Sequence, residues 1–478
     1  MREHGPTVGI IRDLPVLVTR DLDLLKQVLV KDFNNFVNRN DQMATRSLIG
    51  KGVFFLKDYD WKRIRQLMSP SFSTGRLKRI SAHVQEAANH LSQAFQKSAE
   101  SGSRVKLLHI TGQYSTSIIA KTAFGFQADS IGQEEDDEFT HCVKNIFKKR
   151  TKTGFFFIMF LMRFRSFRRL LVFTLGLYFP DPCTKRSNEY FNAILKESIA
   201  EREEAERNGS RHVNNDFLQS LVSTKIASED TISGKTQSEK NDISISNGQV
   251  HPQSEKVERH PKKTITKDEV IAQSLITILA AFETTASSLQ FCLFKLSQHP
   301  EIQEKIFQEI LDVVEHENPT HEELSKLYYL EQVINETLRM YPPLPFITRE
   351  PYETRTYGNV TIPAGSAVFI PIREVHRDAT QYPNPDEFDP ERFSEENKAK
   401  RNPLAFMPFG QGPRICIGMR LAYLELKTAL VQVLRKVKVE LDDTTVPRNG
   451  EDITINYFAF PRPEQPIELV VKLRDNQI

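Results

Sequence analysis

Cysteine is scarce: there are four in 478 residues. Cys142, Cys183, Cys292 and Cys416 lie far apart, no two of them at zinc spacing. That is too few to staple a chain of this size, and it excludes a disulfide scaffold. Net charge is almost absent too, because 64 Lys and Arg face 62 Asp and Glu for a formal +2. Such a chain gives no global reason to expect nucleic acid or an acidic partner, so any electrostatic function must be local. The opening residues have no long apolar run. Met1 to Ile11 contains Arg2, Glu3 and His4, whereas a spanning helix needs about 20 apolar residues and a signal peptide a core of about 7 to 15. No G-x-G-x-x-G or other flavin signal occurs, so electrons for any redox chemistry must come from elsewhere.

Periodicity supplies the organisation. Val8 to Ile11 and Val16 to Val18 flank a turn-like Arg12-Asp13-Leu14-Pro15 and read as a hairpin. Asp21 is an N-cap candidate for a helix carrying Leu22, Leu25, Val28 and Leu29. From about Ser71 to Arg339 most segments repeat at 3.6 residues, which makes the middle of the chain helical. The exception is Ser228 to Lys263, polar and poor in large apolar side chains, which reads as a mobile loop. Thr266-Lys267-Asp268-Glu269 then has capping-box spacing. The apolar pattern behind it stops at His299-Pro300, giving a helix of about 30 residues, or ~45 Å. A further helix spans roughly Leu327 to Met340, before Pro342-Pro343. Val360 to Ile362 and Ala367 to Ile370 read as strand, turn and strand, and the last large helix lies near Met419 to Lys436. The fold class this predicts is predominantly α in an α+β layout, a helical body with small sheets near the ends.

The strongest chemical signal is Phe409-Gly410-Gln411-Gly412-Pro413-Arg414-Ile415-Cys416-Ile417-Gly418. Its glycines allow a tight loop whose backbone can approach a planar ligand. Cys416 sits just before a helix, where N–H groups and the helix end are expected to lower the thiol pKa and fit it for a metal. A bare cysteine beside a glycine turn would be read as a buried structural residue.

This string matches the haem-binding signature F-x-x-G-x-R-x-C-x-G. The chain resembles the cytochrome P450 family, in the branch of microsomal drug and steroid hydroxylases and thromboxane synthase, from Gly5 onward. The resemblance implies haem b held by Cys416 as axial thiolate. It implies propionates met by Arg414, Arg39, Trp61, Arg65 and Arg349, with Phe409 in the haem loop. Glu336 and Arg339, three apart on one helix face, would join Arg392 of Pro390-Glu391-Arg392-Phe393 in a buried network. Ala280-Ala281-Phe282-Glu283-Thr284-Thr285 matches [AG]-G-x-[DE]-T except that Ala281 replaces glycine. Glu283 and Thr284 would be the catalytic pair that delivers protons to dioxygen. Phe282 and Phe346 are expected to face the pocket.

The implied protein is one haem domain over residues 1–478, with 228–263 as an insert. It would take a lipophilic small molecule, dioxygen and NADPH-derived electrons from a separate NADPH-cytochrome P450 reductase, with cytochrome b5 as an additional partner. Its implied location is the cytosolic face of the endoplasmic reticulum membrane, although the family's N-terminal anchor has no counterpart here. The segment from about Lys144 to Phe179, with nine Lys or Arg and no Asp or Glu, is expected to lie on the membrane surface. Two rivals stand beside this reading: a reductase-independent haem-thiolate isomerase of the thromboxane synthase type, and a non-catalytic truncated haem-binding form.

Overall fold

The computed structural model describes residues 5–10, 15–39, 48–128, 130–146, 184–209, 216–227, 264–451, 453–457 and 460–474. The expected loop at 228–263, nearly all of the basic segment at 144–179, and Cys183 lie outside them.

The body is helical and organised on Lys267–Gln298, called here the long helix. Its start follows from sequence chemistry: the Thr266 hydroxyl accepts from the Glu269 N–H at 3.3 Å, and the Glu269 carboxylate accepts from the Thr266 N–H at 2.8 Å. Its end follows from Pro300, which opens the next helix, Pro300–Val313. By length and composition the long helix could cross a membrane, but 78% of its most apolar window is buried inside this fold. It is the core helix. Leu107–Ile119, Tyr328–Met340 and Met419–Leu434 pack against it, and Thr74–Ser101 lies on the last of these. One large apolar cluster joins these helices through Leu91, Phe95, Phe291, Leu338 and Leu430. A second lies around Phe124, Phe139 and Phe191.

Among the described residues, four small sheets accompany the helices. β1 (Thr7–Ile10) and β2 (Val16–Thr19) form the expected antiparallel hairpin, with Thr7 opposite Thr19. β2 then pairs in parallel with β7 (Ala367–Ile370), and β7 pairs with β4 (Ile347–Arg349), giving the order β1-β2-β7-β4. β6 (Val360–Ile362) pairs with β5 (Arg355–Tyr357) instead of with β7. The expected strands at 360–362 and 367–370 therefore exist, but the turn between them passes from one sheet to another. β3 (Val105–Lys106), β11 (Glu468–Leu473) and β8 (Val437–Glu440) form a third sheet, and β9 (Ile455–Asn456) with β10 (Arg462–Pro463) a fourth.

Asp21 caps its helix as expected, accepting from the Asp23 and Leu24 N–H groups at 3.0 Å each.

Candidate functional site: a thiol loop, a cation cluster and an open helix face

The loop 409–418 is held by its own backbone. The Cys416 N–H donates to the Phe409 carbonyl at 3.0 Å, and the Ile415 N–H to Gly412 at 2.9 Å. Gly410 and Gly412 have φ of +75° and +72°, a conformation that favours glycine. At Gly412 the need is absolute, since a Cβ would fall 1.8 Å from the Leu29 carbonyl oxygen. Phe409 anchors the loop against Tyr423, ring centres 5.4 Å apart.

Cys416 is exposed, whereas Cys142 and Cys292 are buried. Burial pushes the Cys142 thiol up to about 11 and the Cys292 thiol up to about 12, which makes both inert. The Cys416 thiol is also raised. Although its surface is open, the protein packed around the thiol disfavours the charged form, and this outweighs the Gly418 N–H and the charges of Arg65 and Arg39, which act in the lowering direction. The expected stabilisers are present, but they do not win, so the sequence expectation of a lowered pKa is corrected. A metal at the sulfur is what would remove this proton.

The cations expected near the loop converge. Arg65 Nη2 donates to the Ile415 carbonyl at 2.8 Å, one residue before the thiol. Arg414 lies over the Trp61 ring at 4.3 Å and donates to the Val37 and Leu56 carbonyls at 2.7 and 2.8 Å. Trp61 and Arg65 come from one face of helix Asp58–Met68, Arg349 from the end of β4, and Arg39 from the segment bridged to Glu350 through Asn38. Arg39 Nη1 donates to the Phe54 carbonyl at 2.7 Å, and Arg349 Nη1 to its neighbour Thr348 at 2.8 Å.

These groups repel one another. Burial and Arg65 bring Arg39 down to about 10, burial and Arg39 bring Arg349 down to about 9, and burial with Arg39 and Arg349 brings Arg414 down to about 8. A guanidinium does not give up its proton in a protein, so the shifts express an unfavourable field, one that a nearby anion would relieve. Arg39 Nε, Arg349 Nε and Arg414 Nη1 are moreover buried without a hydrogen-bond partner. Orphaned donors on three clustered cations beside an accessible thiol fit a buried dianionic ligand with a metal, which is what haem, with two propionates and an iron, would bring.

The third component is a gap in the packing of the long helix. Ala280 is exposed, and Thr277, Ala281 and Thr284 are only half buried in a helix that is otherwise largely enclosed. Thr277 and Ala281 border one cavity together with Phe72, and with Leu421 and Glu425 of the helix that follows Cys416. Thr284 Oγ1 donates to the Ala280 carbonyl at 2.6 Å, one turn back. Glu283 has a different partner: its carboxylate accepts from Arg462 Nε at 2.6 Å and Nη2 at 2.7 Å. Adjacent helix residues point about 100° apart, so the structure holds the expected acid and the expected alcohol on different faces. Phe282 does not line the opening. It is buried against Gly112, where an added Cβ would lie 3.4 Å from its ring. Phe346 is half buried and stacked on Phe369 at 4.6 Å.

Beneath the loop, Glu336 and Arg339 are fully buried and bidentate, Nε–Oε2 at 2.6 Å and Nη2–Oε1 at 2.8 Å. Arg392 Nε approaches Glu336 at 3.4 Å, and the Asp389 N–H donates to the same carboxylate at 3.0 Å. Arg339 also donates to the His376, Pro385 and Glu387 carbonyls. Sequence reasoning missed His376, whose ring Nε2 accepts from the Met407 N–H at 2.9 Å while Nδ1 meets the Arg339 carbonyl at 3.2 Å. That assigns the proton to Nδ1. Burial and Arg339 hold the imidazole down to about 3, so it stays neutral and ties the ion pair to the segment that leads into the thiol loop.

A helical body whose cysteine loop, buried cations and open helix face surround one site defines a haem-thiolate protein. A family model for cytochrome P450 matches residues 1–471. Among curated relatives the chain is 32% identical to cytochrome P450 3A12 of Canis lupus familiaris over 97% of this chain and 84% of that protein. It is 34% identical to cytochrome P450 3A2 of Rattus norvegicus over 99% and 86%. It is also 32% identical to cytochrome P450 6k1 of the insect Blattella germanica over 93% and 81%. The chain belongs to the cytochrome P450 family: it is a haem b monooxygenase with the cytochrome P450 fold.

Proposed function

We propose that this chain oxidises lipophilic small molecules with dioxygen, drawing NADPH-derived electrons through a separate NADPH-cytochrome P450 reductase, with cytochrome b5 as a second donor, at the cytosolic face of the endoplasmic reticulum membrane. The observation that carries the reading is the set of buried, partly unpartnered arginines around an accessible Cys416. When bound, haem supplies the redox chemistry that cleaves dioxygen and leaves one oxygen on the substrate.

The chain's own residues have separate tasks in this proposal. Cys416, without its thiol proton, would ligate the iron. Arg39, Arg65, Arg349 and Arg414 would neutralise the propionates, with Trp61 beside them, and Phe409 fixes the loop. The Glu336–Arg339–Arg392 network with His376 keeps that loop in place. Thr284 delivers a proton by releasing the Ala280 carbonyl, and Glu283 replenishes it after leaving Arg462. Together the residues 1–478 act as one haem domain.

The test is reconstitution with reductase and NADPH against a panel of lipids, steroids and xenobiotics. Reductase-dependent incorporation of one oxygen is the expected result. Product formation from an endoperoxide without reductase or dioxygen would overturn the proposal in favour of an isomerase.

A further inference from the structure

We infer that Arg462 is a positioning residue of the proton path, a latch that holds the Glu283 carboxylate against residues 461–462, off the open face of the long helix, until it carries a proton to the Thr284 face. The inference rests on Glu283 and Thr284 serving as the proton pair proposed above.

The geometry is that of a built contact. The Glu283 side chain is 4% exposed and Arg462 is 45% exposed, so one carboxylate inside the fold is joined to a guanidinium that still meets solvent. The two bonds, at 2.6 and 2.7 Å, use the parallel fork of the guanidinium, the strongest and most directional of carboxylate contacts. The segment bearing Arg462 is fixed on both sides. One turn along the long helix from Glu283, the buried Ser287 hydroxyl donates to the Pro461 carbonyl at 3.2 Å. Beyond it, β10 pairs with β9, Arg462 opposite Asn456. Glu283 and Ser287, four apart, therefore present one face to residues 461–462.

The opening at Ala280, Ala281 and Thr284 belongs to another face, and the Thr284 hydroxyl is engaged with Ala280. A carboxylate gripped by a guanidinium accepts hydrogen bonds and has no proton to give. Proton delivery then has an order. Glu283 takes a proton at the Arg462 side, which weakens the ion pair, and the neutral acid turns to the Thr284 side, donates and returns as the anion. Protons balance at each passage, and no other reagent is consumed. Arg462 gives this cycle its resting position, and its own exposed side reaches solvent.

The experiment compares haem-loaded full-length parent, Glu283→Gln, Arg462→Gln, Arg462→Lys and the double Glu283→Gln/Arg462→Gln. It reads substrate affinity by spectral titration, product per NADPH, and the C–O stretching band of the reduced carbonyl form, which senses the field at the open helix face without turnover. Arg462→Gln should leave substrate affinity unchanged, lower product per NADPH roughly tenfold, short of the ~100-fold or more that loss of the acid itself costs, and add a second C–O band as the freed carboxyl samples both faces. Arg462→Lys should recover most of the coupling and the single band. The double variant should be no worse than Glu283→Gln alone. If Glu283→Gln couples like the parent, the proton-pair reading fails and the latch with it. If Glu283→Gln uncouples while Arg462→Gln keeps parental coupling and one band, the latch alone is overturned. Poor haem loading in Arg462→Gln moves the decision to Arg462→Lys, where loss of coupling as complete as in Glu283→Gln would overturn the inference.

Discussion

Replacing Glu425 with glutamine should stabilise the protein near neutral pH and have a far smaller benefit in acid. Glu425 is 2% exposed on the helix that follows the thiol loop, and burial pushes its carboxyl up to about 8 from 4.5, against a hydrogen bond from Thr285. The folded state therefore keeps a proton that the unfolded chain releases above 4.5. The favourable contribution is complete below 4.5 and is lost as pH rises from there to about 8. At one pKa unit per 1.36 kcal/mol, the loss is about 3 kcal/mol by pH ~7 and about 5 kcal/mol above pH ~8. Glutamine has the same shape and keeps a hydrogen bond to Thr285, and it has no proton to lose. Its own burial cost does not depend on pH, so the signal is the difference between the two proteins as pH changes. Urea midpoints of the haem-loaded proteins across this range give that difference. It should grow by about 3 kcal/mol between pH ~4.5 and pH ~7 in favour of the variant. Parallel stability curves would mean that Glu425 titrates alike in both states, and would refute the reasoning.

The other expectations concern the loop and its support. His376 works in the opposite pH direction: the unfolded chain takes a proton below about 6.5 that the folded ring refuses down to about 3. Its contribution is complete above 6.5 and falls by about 2 kcal/mol by pH ~5, a slope that should be missing from the His376→Gln urea midpoints. Glu336→Ala and Arg339→Ala each strand a buried charge at a cost of about 3 to 5 kcal/mol, so both should yield little haem-loaded protein by absorbance. Normal haem content in both would contradict the buried network. Thr284→Ala should retain haem and substrate binding while product per NADPH falls on the order of a hundredfold and peroxide rises. Coupling equal to the parent would remove Thr284 from the proton path.

How much was legible in the sequence depends on the distance over which each feature is encoded. The capping box at Thr266, the stop at Pro300 and the Asp21 cap depend on neighbours within four residues, and the structure has them where the spacing predicts. The thiol loop was legible for the same reason, since Gly410 and Gly412 take positive φ in a local turn, although the Leu29 carbonyl that Gly412 must clear was not. The cation cluster was legible only through the family resemblance, because its members come from four separated segments. Partners that meet across long stretches left no signal. Arg462 is 179 residues from Glu283, and His376 is 31 residues from Met407. A lone arginine and a lone histidine carry nothing that names such partners. The direction of the Cys416 thiol shift was not legible because sequence displays the local N–H groups and charges but not how much protein from other segments crowds the thiol and outweighs them. Phe282 was misplaced because an apolar position on a long helix does not say which neighbour covers it, here the bare face of Gly112. β6 and β7 lie where the β-branched runs predict strands, but which sheet each joins was not legible, since a turn sequence does not specify which sheet its second strand will join.

The central claim is that Cys416 ligates the haem iron as a thiolate, and the carbon monoxide spectrum of the reduced protein tests it most directly. Parent protein should give the strongly red-shifted Soret band of thiolate-ligated haem, and Cys416→Ser should lose that band. A thiolate spectrum that survives unchanged in Cys416→Ser would contradict the assignment.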